Sequence, residues 1–483
     1  MCGCAAVIAG GLLPPAALPR RFHRRRRGTS VRVQASPGGE SQRKKVAVAG
    51  AGWAGLAAAH HLVKQGYDVT LLGAESGPTE EVGLRANFVN LNVIKTVVNF
   101  QVEFPIFHNQ PRLPAPFGVF AYPQFPNLPL VDRLTSIPVI AAVTARELFK
   151  MYGCSQRLYK EVFEPAIQAA LFAPVYSYKL FPYCKENSDF LLCRGEVEEK
   201  IYSPWLKSLE LKGLKFVANK IPTSMTIDKD NGCISSIICG EDIYEADAFV
   251  SAMGLSPLQS IIMNSSFLRS DQEFANLLRL STIDVISVRL WFDKKITIPN
   301  VANVCSGFDD SSGLTFFDLT SVYDDYYGEP ITIVEAQFYN ASHLLPLSDE
   351  HIISEVSSRL IKCIQDFDGA TAVIQHSVRR APRSVINYLP GSYKYILRGS
   401  TSFPNLFLAG DWIVNRHGSF SKEKAYVTGL EAANRVVDYF GNGDFAKIIA
   451  VEGDEPHIET LRSLNRRANE LKPQTPFSEF FLQ

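Results

Sequence analysis

An α/β fold built around a parallel sheet is the class this chain predicts, and three observations predict it. A short apolar strand runs into a glycine-spaced turn and an alanine-rich helix at VAVAGAGWAGLAAAHHL. A second strand, YDVTLL, follows closely enough to complete a strand-helix-strand unit. Far downstream, NLFLAGD reads as another buried strand ending in glycine, with a helix after it. Alternating segments of strand character lie between, so the first unit is interrupted by a second, α+β region. A chain of 483 residues has room for two or three domains.

Residues 1–40 form a unit apart. Arg20, Arg21, Arg24, Arg25, Arg26, Arg27 and Arg32 all precede the first acid, Glu40. A secretory signal carries its positive charge ahead of the apolar stretch, whereas here AAVIAGGLLPPAALP comes first. This order predicts a transit peptide for a plastid, with a mitochondrion as second choice, and VRVQASPGG resembles its processing region. The competing reading is a disordered basic arm touching nucleic acid or lipid; no nucleic-acid partner is expected of the protein.

In the first strand-helix-strand unit each glycine has its own task. Gly50 permits the sharp turn, Gly52 lets a pyrophosphate approach bare backbone, and Gly55 lets helix and sheet pack closely. The phosphates would rest on the amino terminus of a helix over 53–65, where unpaired N–H groups and the macrodipole favour negative charge. Trp53 and Ala54 stand at that terminus and join the candidate set. Gly66 ends the helix. An acid is expected at the end of the second strand to meet the ribose. Here the strand runs into Gly73, and the nearest acid is Glu75.

The segment 104–138 carries eight prolines among six aromatics, which excludes a regular helix or a central strand. It reads as an irregular apolar covering, or as an apolar lip around a hydrophobic substrate that could touch a membrane surface. Amphipathic helices are expected over 144–173, and residues 175–187 have no period. A helix from Glu196 leads to a strand, LKFVANKI, and then to an alternating meander over 224–254 with turns at DNG and GED. Strands are expected at 281–293, 316–319, 331–338 and 372–378, and a helix at 349–365. No apolar run reaches the ~18 to 20 residues of a membrane-spanning helix, so the chain reads as soluble or peripheral. The seven cysteines outside the leader show no CxxC pair or His/Cys metal spacing. They read as reduced thiols of an intracellular protein, and no metal site is expected.

The late element, TSFPNLFLAGDWIVNRHGSFSKEKAYVTGLEAANRV, places Gly410 and Asp411 at a strand end and starts a helix near Lys422, with Ser421 as its N-cap. With this element in view the chain resembles the flavin-containing amine oxidase superfamily, and within it the phytoene desaturase and ζ-carotene desaturase-like proteins of plants and cyanobacteria. The resemblance implies FAD in a discontinuous Rossmann-like domain, 44–90 with 195–262 and 400–440. An α+β substrate domain would comprise 91–194 and 263–399, with 441–483 as an extension. It implies that Gly410 and Asp411 hold the ribityl-phosphate side and that Ser421 and Lys422 face the flavin ring. It further implies that Ile221 meets adenine, that Ala252 lies beside the cofactor, and that VRRAPRSVINYLPG precedes the last FAD element. The family's Gly-Gly-basic segment is reduced here to Gly83, Leu84 and Arg85, which leaves Arg85 as the pyrophosphate's basic residue.

With FAD bound, the resemblance implies desaturation or oxidation of a hydrophobic, isoprenoid-like substrate, with a quinone or oxygen as electron acceptor. Amine or porphyrinogen oxidation is the alternative. Amine oxidases of the family place a lysine on the strand matching 283–292, and here no lysine occurs between Lys229 and Lys294. A third reading is a catalytically impaired scaffold, for which Gly73 and the lone Gly83 speak. No Ser/His/Asp constellation is expected, Arg416 and His417 are loop residues, and the catalytic base is unassigned. Asp284 is either a proton acceptor within its strand or an edge residue facing water.

Overall fold

A computed structural model describes residues 43–75, 107–109, 191–298, 301–305, 313–364, 366–367, 371–387, 389, 392–415 and 422–448. The expectations for the leader, Gly83 to Arg85, most of 104–138, 144–187, Arg416, His417 and Ser421 lie outside these residues. Those described up to Ala446 belong to one compact unit.

Five parallel strands form the first sheet: β1 (Lys45–Ala49), β2 (Asp68–Leu72), β5 (Lys215–Val217), β9 (Ala248–Ser251) and β15 (Leu406–Leu408), in the order β15-β9-β1-β2-β5. β1 and β9 are apolar without alternation because both faces of the sheet are covered. Helix α1 (Trp53–Lys64) makes the crossover from β1 to β2 and ends at Gly66, whose φ is +84°. A π turn, Glu198–Tyr202, runs into α2 (Ser203–Glu210), whose Pro204 has no N–H to continue a regular ladder. On the other face of the sheet, Leu258 and Ile261 of α3 (Leu255–Asn264) join Phe274, Leu277 and Trp412 in one apolar cluster.

The meander expected over 224–254 divides in two. β6 (Ser224–Ile227), β7 (Ile234–Cys239) and β8 (Asp242–Glu245) pair antiparallel. β9 leaves them for the parallel sheet, since its Ala248, Phe249 and Val250 all need burial. A short antiparallel pair links β3 (Phe107–Asn109) with β4 (Leu191–Cys193).

The second sheet is antiparallel, in the order β11-β12-β13-β10-β14: β10 (Ser281–Phe292), β11 (Ala302–Cys305), β12 (Gly313–Asp318), β13 (Thr332–Tyr339) and β14 (Val373–Asn387). Helix α4 (Asp349–Cys363), capped by Ser348, buries Ile352, Val356 and Leu360 against Val288, Leu290 and Phe338. β14 continues well beyond the expected 372–378, passing through Pro382. A register shift opposite Ile283 and Val285 makes this continuation possible, with Arg383 at φ +52° and its N–H donated to Asp284 Oδ1 at 2.7 Å. Asp284 therefore sits on an interior strand of its sheet, between β13 and β14, not on an edge. Its other oxygen accepts from Ser342 Oγ at 2.6 Å, so this carboxylate holds a bulge. Helix α5 (Lys422–Phe440) begins where a helix was expected and packs on α1.

Candidate functional site

Ala49, Leu72, Ser251 and Leu408 stand level across the parallel sheet. The residues after them therefore leave it at one edge, each tied to its neighbour. Gly50 N donates to Leu72 O at 2.9 Å, Ala252 N to Ala49 O at 2.8 Å, and Ala409 N to Ser251 O at 2.9 Å. From β1 the chain proceeds first to β2 and β5, and later to β9 and β15 on the opposite side. The crevice between β1 and β9 is thus a topological switch point, the place where open α/β sheets take ligands.

The glycines at this edge are fixed by contact. Gly50 has φ +110°, and a Cβ on it would lie 2.5 Å from Ala252 O. A Cβ on Gly55 would lie 1.7 Å from Gly50 O. Gly52 is the N-cap of α1, with no side-chain cap and no acid in the first turn, so the positive end of the helix meets the turn bare. Trp53 turns its indole away into edge contacts with Tyr202 and Trp205, at centroid distances of 5.5 and 6.0 Å. Ala54 O faces Gly429 of α5, where a Cβ would approach to 2.2 Å.

Gly410 adopts φ +139° and donates its N–H to Thr428 Oγ1 at 3.0 Å, which couples this strand end to α5. Trp412 Nε1 donates to Met253 O at 3.0 Å and so couples it to β9. Asp411 follows Gly410. Burial raises its carboxyl above the usual range, and the nearby Lys424 ammonium opposes that rise. Lys422 and Lys424, 6% and 4% exposed, occupy the first turn of α5. Burial lowers Lys424 to about 8 despite Asp411 and Glu431, and drives Lys422 well below its ordinary value. A bare glycine cradle, two helix amino termini and the buried Lys424 ammonium at one edge suit an anionic, phosphate-bearing ligand. The residues present fit FAD. Lys424, Thr428 and Gly429 were not singled out in the sequence, although the small-residue run TGLEAAN marks a close helix contact.

On the β2 side the fit differs. A Cβ at Gly73 would lie 2.7 Å from the Phe216 ring, so an acid there would have to displace that ring. Glu75 is exposed, and its carbonyl accepts from Asn219 N at 3.1 Å. Ile221 was expected on a strand, but β5 ends at Val217, and Ile221 is a 60% exposed residue of the following coil. Its neighbour Lys220 donates its N–H to Gly73 O at 2.7 Å and pairs with Asp242. A cavity of about 390 Å³ bounded by Lys45, Asp68, Thr70, Lys215, Tyr244 and Glu245 opens at the opposite, amino edge of the strands. Among the described residues no group of three or more His, Cys, Asp or Glu could hold a metal. No described helix is long and apolar enough to cross a membrane.

Comparison with known proteins agrees with this architecture. Residues 168–437 match the model of the flavin containing amine oxidoreductases, and residues 48–114 match an NAD(P)-binding Rossmann-like domain. The chain is similar to 15-cis-phytoene desaturase of Synechococcus elongatus, 23% identical with 81% of this chain and 96% of the relative covered. It is similarly related to the chloroplastic/chromoplastic enzyme of that name from Capsicum annuum, 23% identical with 82% and 78% covered. Among solved structures, cyclohexylamine oxidase of Brevibacterium oxydans shares the fold, with TM-score 0.55, 14% identity and coverage of 83% and 100%. So does a reduced UDP-galactopyranose mutase, with TM-score 0.58, 13% identity and coverage of 83% and 94%.

Proposed function

The chain belongs to the flavin-containing amine oxidoreductase family, and from that premise we propose that this FAD-dependent oxidoreductase desaturates or oxidises a hydrophobic, isoprenoid-like substrate in a plastid. The observation that carries the cofactor half of this reading is the meeting of Gly50–Gly52, Ala252 and Gly410–Asp411 at one edge of the parallel sheet. The substrate half is supported by the long coverage of phytoene desaturases. It is supported also by β10, whose one basic residue, Arg289, is held by Glu196 at 2.6 Å and Glu335 at 3.0 Å. That strand carries no lysine of the kind the amine oxidases use. The acid-free leader and the chloroplastic relatives support the plastid.

When bound, FAD supplies the two-electron oxidation. The chain's own part is to bind and orient. The amides of the Gly50–Gly55 turn would take the pyrophosphate, Gly410 and Asp411 the ribityl side, and the first turn of α5, with Lys422 and Lys424, the ring end. Asp284 is engaged at its bulge by the Arg383 N–H and Ser342 Oγ. We assign the split domains as expected, the parallel sheet to the cofactor and the antiparallel sheet to the substrate. A quinone or oxygen would accept the electrons.

The test is anaerobic bleaching of the bound flavin. A C40 polyene in detergent should bleach it, and reoxidation by a quinone should restore it. Bleaching by primary amines or a porphyrinogen, with none by polyenes, would overturn the substrate reading.

A further inference from the structure

We propose that Cys305 and Cys363 form a reversible disulfide, a redox-modification site that clips the carboxyl end of α4 to the edge strand β11. Both cysteines are free thiols here, and their side chains hydrogen-bond each other although 58 positions separate them. Cys305 ends β11 and is buried in the core that α4 covers, beside Leu314, Phe338 and Leu360. Cys363 is the last residue of α4 and is exposed. One thiol is thus open to a soluble oxidant while its partner waits behind it, the arrangement of an attacking and a resolving cysteine.

The surroundings set which is which. The hydrogen bond with Cys305, together with the positive charges of Arg359 and Lys362, holds the Cys363 thiol below its ordinary range. Cys305 is pushed well above it, by that hydrogen bond first and by burial second. Arg359 is itself fixed, its guanidinium 5.2 Å over the Phe338 ring and its Nε 2.7 Å from Glu355 Oε1. The oxidant class is a small soluble disulfide. The Cys363 thiolate attacks one of its sulfurs, the S–S bond breaks, and one thiolate leaves and takes up a proton. Cys305 then gives up its proton and attacks Cys363 Sγ, forming the bridge and expelling the second thiolate. The two cysteines lose two electrons and two protons, and the oxidant gains them.

The experiment equilibrates the folded, full-length chain with oxidised glutathione, blocks remaining thiols with iodoacetamide and maps peptides by mass spectrometry without reduction. The expected result is a peptide pair joining Cys305 to Cys363, two hydrogens lighter than the separate thiols and released by dithiothreitol. C305S should stop at a glutathione adduct on Cys363. The same treatment in urea should give no preference for this pair. Recovery of both thiols alkylated from the folded wild-type chain, or of a stable glutathione adduct on Cys363 beside a free Cys305, would overturn the proposal.

Discussion

At Gly55 the backbone of the glycine turn stands so close that an added methyl would sit 1.7 Å from Gly50 O, which no side-chain rotation relieves. Gly55→Ala should therefore move the turn off α1 and weaken flavin binding by at least about tenfold, about 1.4 kcal/mol; the check is the FAD dissociation constant by titration, beside the ratio of flavin to protein absorbance after purification. Lys424 makes a prediction of opposite character. Its folded value of about 8 lies below the ordinary 10.5, so between those pH values the unfolded chain holds the proton and the folded chain does not. This group therefore adds stability as pH rises through that window. In Lys424→Met the rise should be smaller than in wild type, measured as the urea midpoint at about pH 7.5 and about pH 9.5, on either side of most of that titration. The glycines were legible because steric demand shows in spacing. Lys422 was named through the resemblance, but Lys424 was not legible, because Asp411 reaches it only when a strand end and a helix start are brought together.

Helices α1, α2 and α5 meet at Trp205, which is fully buried, contacts Trp53 and Tyr426 at 6.0 Å each, and donates Nε1–H to His60 Nδ1 at 3.4 Å. Trp205→Ala should cost about 3–5 kcal/mol in urea unfolding. Gly429→Val should drive α5 from Ala54 O and destabilise the fold by at least about 1–3 kcal/mol through overpacking. At this scale much was readable: the strand at 68–72, the long strand from 281 and the helices from 53 and 422 emerge where period and turn residues put them. Two elements were not. β9 looked like the last strand of a meander because its neighbours alternate, and β14 looked short because Pro382 suggests an end. Tertiary pairing with β1, and the bulge held by Asp284, decided otherwise.

At the scale of the whole molecule, one link between the antiparallel sheet and the chain leading into α2 is Arg289, which bridges buried Glu335 and Glu196 and lies 6.0 Å from the Tyr323 ring. Arg289→Met leaves Glu335 without its main counter-charge and should destabilise by about 3–5 kcal/mol, with part recovered in the double variant carrying Glu335→Gln. The late Gly410–Asp411 pair was legible as a motif. Its place at the same edge as Gly50 was implied by the resemblance alone; period and spacing do not give it, because it depends on the parallel order of β15, β9 and β1. The central claim is that these three strand ends hold one flavin. The most direct measurement is the absorption spectrum of the full-length protein after gel filtration. The account predicts a yellow, folded protein with the two flavin bands co-eluting, and loss of both bands in Gly55→Ala. A folded protein that elutes colourless and stays colourless after incubation with FAD would contradict it.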